Sequence, residues 1–220
     1  WDETLSTGHV SGTPPPLEQV KNYFQKATPS ELKEYNLYHG RIEDLPPGFE
    51  GFFDVVFSIA AFEHIVHLPE ALEKMYCALR PGGKLFSLFA PIWSTYNGHH
   101  LPAIEDKAGN IWSCSNVPIP PWFHLIMRPM ELYDHLCGQC DKETARKIIY
   151  FVYKSPHINR FFLDDYFEIV ERSSFEVEQM TPVFDAPTPS DIQQRLEHIY
   201  PGRTRFSHSG LLMVLRRPLA

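Results

Sequence analysis

Two adjacent histidines, His99 and His100, close the stretch Trp93-Ser94-Thr95-Tyr96-Asn97-Gly98. A third, His124, ends Pro121-Trp122-Phe123-His124. A neutral imidazole accepts protons near neutral pH and ligates metals. The pair therefore offers two chemistries: a general base for an acceptor hydroxyl, amine or activated carbon, or a ligand to a metal that polarises the acceptor. Neighbouring side chains rarely point the same way, so at most one of the two is expected to act. Leu101 and Pro102 favour His100 as the more buried. Trp93, Tyr96, Trp122 and His124 would wall the acceptor pocket. The bland alternative is that all three histidines pack loops with their hydrogen bonds satisfied. Cys137-Gly138-Gln139-Cys140 is a CxxC, with Cys114 and His135 as further candidate zinc ligands. Without a partner CxxC it reads as ordinary half-buried thiols.

These residues need elements to hold them. Phe53–Ile59 (FDVVFSI) is an almost unbroken apolar run, as in a strand buried on both faces of a parallel sheet. Leu68, Ala71, Leu72, Met75 and Leu79 follow helical spacing, with Pro69 in the first turn and Pro81-Gly82-Gly83 as the stop. Lys84–Ala90 is the next buried strand. Together they form one βαβ unit, with the two strands parallel, adjacent and central. Upstream, Leu17–Phe24 begins a helix and Tyr35–Gly40 a strand. Downstream, 130–136, 143–151 and 158–166 read as helices, and 190–199 as a helix with Ser190 as its N-cap. Phe175–Phe184 and Gly210–Arg216 read as a closing antiparallel pair. Between them lies the aromatic, proline-rich stretch after Pro91, whose composition suits a lid or binding insert.

Phe53-Asp54-Val55-Val56-Phe57-Ser58, Phe62-Glu63-His64-Ile65 and Ala78-Leu79-Arg80-Pro81-Gly82-Gly83-Lys84-Leu85 resemble, in order and spacing, class I S-adenosylmethionine-dependent methyltransferases. Gly40-Arg41-Ile42-Glu43-Asp44-Leu45-Pro46 looks like that family's adenine-contacting turn. The resemblance implies a Rossmann-like α/β domain: a mostly parallel sheet, helices on both faces and an antiparallel last strand. One domain over residues 1–220 is expected, with an insert over about 91–166. The implied cofactor is S-adenosylmethionine. Its contacts would be Asp2 (or Glu3) on the ribose, Ile42 beside adenine, and Ser58, Ile59 and Ala60 at the carboxyl end of the FDVV strand. His64 would support its loop. The family's glycine-rich GxGxG turn occurs nowhere in the sequence, and the resemblance places it upstream of Trp1.

The implied activity is methyl transfer to a small-molecule or carrier-bound acceptor, and a non-catalytic, methyltransferase-like binding module is the alternative. The 220 residues carry a net charge of −7, which argues against a nucleic-acid surface built on positive charge and against a polybasic membrane anchor. No apolar run of membrane-spanning length occurs, and no secretory leader is read at the start. Four cysteines do not make a disulfide scaffold, so a reducing cytoplasm is expected.

Overall fold

The structure is a computed structural model and describes residues 40–219. The helix expected at Leu17–Phe24, nearly all of the strand at Tyr35–Gly40, and Asp2 and Glu3 lie outside them.

After a single 3-10 turn (Ile42–Asp44) comes strand β1 (Phe53–Ile59), then a second 3-10 turn (Phe62–His64), helix α1 (Leu68–Ala78) and strand β2 (Leu79–Phe89). β1 and β2 pair in parallel, from Val55 opposite Lys84 to Ile59 opposite Leu88. Leu68, Ala71, Leu72, Met75 and Ala78 form the buried stripe of α1. The strand after α1 starts five residues earlier than the sequence suggests. Phe53 pairs with Leu79 and Val55 with Lys84, so Arg80-Pro81-Gly82-Gly83 bulges out. Gly82 takes a φ of +80°, which favours glycine, and its N–H donates to the Arg217 carbonyl. The Arg217 side chain in turn donates to the carbonyls of Tyr76, Cys77 and Leu79, occupying the orphan acceptors at the end of α1.

The described sheet has four strands in the order β1, β2, β6 (His208–Arg216), β5 (Glu176–Asp185). Both β6 contacts are antiparallel, giving the Rossmann-like α/β plan its reversed last strand. β2 lies inside this sheet and β1 at its margin. One departure from expectation is that Val55, Phe57 and Ile59, which share one face of β1, are exposed rather than buried. α1 covers the other face of β1, where Phe53 and Val56 join the first core beside Leu72, Leu85, Phe89, Tyr166 and Met213.

The stretch after Pro91 builds a second core. It contains a two-residue hairpin, β3 (Ile104–Glu105) with β4 (Ile111–Trp112), and helices α2 (Phe123–Ile126), α3 (Pro129–Cys137) and α4 (Lys142–Tyr153). Trp93, Leu101, Trp122, Leu132, Ile148 and Val152 pack there against Leu196 of α6 (Ser190–Ile199) and Phe206. Two helix starts differ from the sequence reading. The helix expected from Ile158 is α5 (Leu163–Glu171), because Asp165 accepts the Phe162 N–H and Ser94 the Leu163 N–H. Pro189, not Ser190, is the N-cap of α6.

Candidate active site

A cleft of about 630 Å³ opens beside the carboxyl end of β1. Ile42 and its neighbours 40–43 form one wall, Val56, Phe57 and Ser58 the strand side, and Ala61, His64 and Ile65 the turn beyond it. Strand ends of open α/β sheets bind ligands because successive backbone groups there point out of the sheet. Of the expected cofactor contacts, Ile42 and Ser58 line this cleft. Ile59 is half exposed and Ala60 takes a φ of +49° where the chain leaves the sheet. Neither lines the cleft. Arg41 is exposed and paired with Asp44 at 2.8 Å.

The loop after β2 turns sharply. A Cβ on Gly98 would lie 2.3 Å from the Trp93 carbonyl oxygen, so no other residue fits without moving backbone. Gly98→Ala is expected to cost the upper end of about 1–3 kcal/mol in chemical denaturation; a cost below about 0.5 kcal/mol would disprove the close approach. This turn throws its two histidines apart, as expected, but the order of burial is reversed. His99 is the buried one, and its Nδ1 accepts the Leu101 N–H at 3.3 Å. Burial first, and then nearby His124, press its pKa down to about 3. His124 is also buried, bonded through Nε2 to the Trp93 carbonyl at 2.9 Å, and burial holds its pKa near 4. Trp93 and Trp122 pack in the same second core, while Tyr96 reaches solvent. Trp93, Trp122, His99 and His124 thus serve the interior of the segment rather than the cleft wall.

His100, at a φ of +41°, faces the other way. Its ring centre lies 5.1 Å from His64, a cleft residue, and 5.7 Å from His157. His157, unmarked in the sequence reading, follows Pro156, which also lines the cleft. The turn carrying His64 is clamped by Asn159. Its side-chain amide donates to the carbonyls of Phe62 (2.7 Å) and Ile65 (2.9 Å), and its backbone N–H to that of Glu63 (2.8 Å). The buried Tyr166 hydroxyl donates to the Asn159 carbonyl oxygen. Arg160 donates to the carbonyls of Phe151, Val152 and Ser155, fixing the same loop to the end of α4. Neither Asn159 nor Arg160 belongs to a motif. They are found through the backbone acceptors that an irregular loop leaves unsatisfied.

The thiols do not converge. Cys140 donates to the Leu136 carbonyl, and His135 Nε2 is bonded to that of Pro118. All four cysteines are free.

Residues 6–87, spanning the first core's βαβ unit, match the family model of the methyltransferase domain. That segment is thus similar to a methyltransferase domain. Among solved structures it is similar to an S-adenosylmethionine-dependent methyltransferase from Mesorhizobium loti, at 16% identity over 86% of this chain and 73% of that one, with a TM-score of 0.41. It is also similar to one from Archaeoglobus fulgidus, at 12% identity over 83% and 68%, with a TM-score of 0.41. No curated protein matches. No helix among the described residues of the domain is long and apolar enough to cross a membrane.

Proposed function

We propose that this domain methylates a small-molecule or carrier-bound acceptor in the cleft beside β1, in a reducing cytoplasm compatible with its four free thiols. The observation that carries the reading is that Ile42 and Ser58, taken from two separate motifs, meet in one cleft. Its volume of about 630 Å³ falls within the range of roughly 300–1,000 Å³ usual for cofactor sites. The cleft fits S-adenosylmethionine chemically as well. Ile42, Val56 and Ile65 offer an apolar wall for a flat base, and the strand end at Ser58 offers polar backbone.

When bound, S-adenosylmethionine supplies a methyl carbon activated by a sulfonium sulfur. The chain's own contribution is orientation and exclusion of water. His100 is the residue for an acceptor hydroxyl or amine that gives up a proton, either as the base that takes it or as a ligand to a metal that polarises the acceptor, and exposed Tyr96 is left as a contact for the acceptor.

Calorimetric titration with S-adenosylhomocysteine tests the cofactor half. Ile42→Asp should weaken binding at least about tenfold, which is about 1.4 kcal/mol, because it places a carboxylate against the base. Unchanged affinity in a folded Ile42→Asp chain, or no binding by the parent, overturns the assignment. In a methyl-transfer assay His100→Ala should lose on the order of 10²–10⁴ in rate, while His99→Gln should lose far less.

A further inference from the structure

We propose that His64, His100 and His157 form a binding site for a divalent transition-metal ion, of the zinc class, in the wall of the cleft. One ring nitrogen from each lies within 4.8 Å of the other two. Zinc–nitrogen bonds of about 2.0–2.1 Å in a tetrahedron place ligand nitrogens about 3.4 Å apart. The cluster therefore closes on an ion by a contraction of at most about 1.4 Å, within reach of small side-chain rotations.

The three histidines come from three separate segments: the turn after β1, the Gly98 turn and the loop after α4. Each segment is fixed by its own backbone contacts. The clamp at Asn159 holds the first against the third. His64 Nδ1 lies 2.5 Å from the His157 carbonyl oxygen, an acceptor only, so Nδ1 carries the proton and the ring's lone pair sits on Nε2. Metal-ligating histidines characteristically donate their other nitrogen to a carbonyl or carboxylate in this way. His100 sits in the left-handed backbone region, a costly conformation for a side chain of this size. Ring centres 5.0–5.7 Å apart bring the three imidazoles around one point.

The donor set decides the class of ion. The three imidazoles that the described residues bring together suit zinc, nickel, copper or iron better than magnesium or calcium. Three ligands from the described residues also match sites at which a further ligand binds and reacts. All three histidines are half-buried, and His64 lines the cleft. The role of the ion rests on the methyl-transfer reading: an acceptor oxygen joining the coordination would lose its proton more readily. The site itself does not rest on that reading.

The experiment uses the tag-free full chain, stripped with a chelator and titrated with zinc by calorimetry in the absence of any substrate. One ion per chain is expected, with a Kd of about 1 μM or tighter and a raised melting temperature. His100→Ala and His157→Gln should each weaken binding at least about 100-fold. His198→Ala, on an exposed turn of α6, should leave it unchanged. Replacing zinc with cobalt gives a spectroscopic signature of imidazole coordination that His64→Asn should abolish. Absence of one-to-one binding by the parent overturns the proposal. So does binding that survives His100→Ala in a chain that still melts cooperatively, or binding lost in His198→Ala. Titrating S-adenosylhomocysteine into the stripped chain tests the methyl-transfer reading separately.

Discussion

Asn159→Ala is expected to lower the melting temperature by on the order of 10 °C, the largest effect of any single polar substitution proposed for this domain. The side chain is almost wholly buried and serves four partners at once, accepting from the Tyr166 hydroxyl and the Phe161 N–H and donating to the carbonyls of Phe62 and Ile65. A buried group left without its partner costs about 1–3 kcal/mol. Stranding two carbonyls and a phenol therefore costs about 4 kcal/mol once some repacking is allowed. At roughly 2–4 °C per kcal/mol for a chain of this size, that gives the stated shift. Asn159→Asp sharpens the test. It keeps the shape and the acceptor but replaces the donating amide with an oxygen facing two carbonyl oxygens. It should be at least as destabilising as alanine near neutral pH. If either variant unfolds in urea within about 1 kcal/mol of the parent, the clamp is not what holds the turn.

The βαβ unit was legible because its signals are short-ranged and agree with one another. The apolar run of β1 matches its observed bounds, and the period of α1 names its buried stripe. Less legible was the start of β2. Pro81-Gly82-Gly83 reads as a turn between elements, whereas the chain bulges there and keeps pairing on both sides. Likewise Ile158, Phe161, Phe162 and Tyr166 mimic helical spacing. The first three belong to a loop whose backbone groups are satisfied by Asn159 and Arg160, a solution no periodicity reveals.

The site divides along the same line. Ile42 and Ser58, which line the cleft, could be read from motifs and strand ends, since topology dictates where a strand end points, whereas the choice of His100 over His99 rests on an order of burial that the structure reverses. His157 could not, because its place beside His64 depends on how a loop more than ninety residues away closes on the turn after β1. Aromatic richness after Pro91 misled for a general reason. Tryptophan and histidine wall pockets and fill interiors alike, and here Trp93, Trp122, His99 and His124 fill a second core.

That core has a consequence for the pH dependence of stability, with an optimum expected near pH 6.5. His99 and His124 are held neutral when folded, with pKa values of about 3 and about 4, but each takes a proton near 6.5 when unfolded. Between about pH 4.5 and 6.5 the unfolded chain therefore binds two more protons at these sites, and stability falls as pH falls. Glu63 opposes this. Its carboxyl oxygens are buried with no side-chain partner, and burial, opposed only by its own backbone N–H, raises its pKa from 4.5 to about 7. Over the same window the folded chain keeps that proton and the unfolded chain has lost it. Two protons against one leave a net slope of about 1.4 kcal/mol per pH unit below pH 6.5. From 6.5 to about 7 Glu63 alone remains and stability declines slightly; beyond that these three groups contribute a constant. The two variants should act in opposite directions. His124→Gln, which can still donate to the Trp93 carbonyl, should flatten the acid limb. Glu63→Gln should steepen it to about 2.7 kcal/mol per pH unit and raise stability at pH 8 by about 3 kcal/mol, because no buried charge then forms. Urea unfolding of the parent and both variants from about pH 5 to about pH 8 measures all three slopes. Parallel curves for parent and Glu63→Gln would show that the Glu63 carboxyl titrates as an ordinary solvated group.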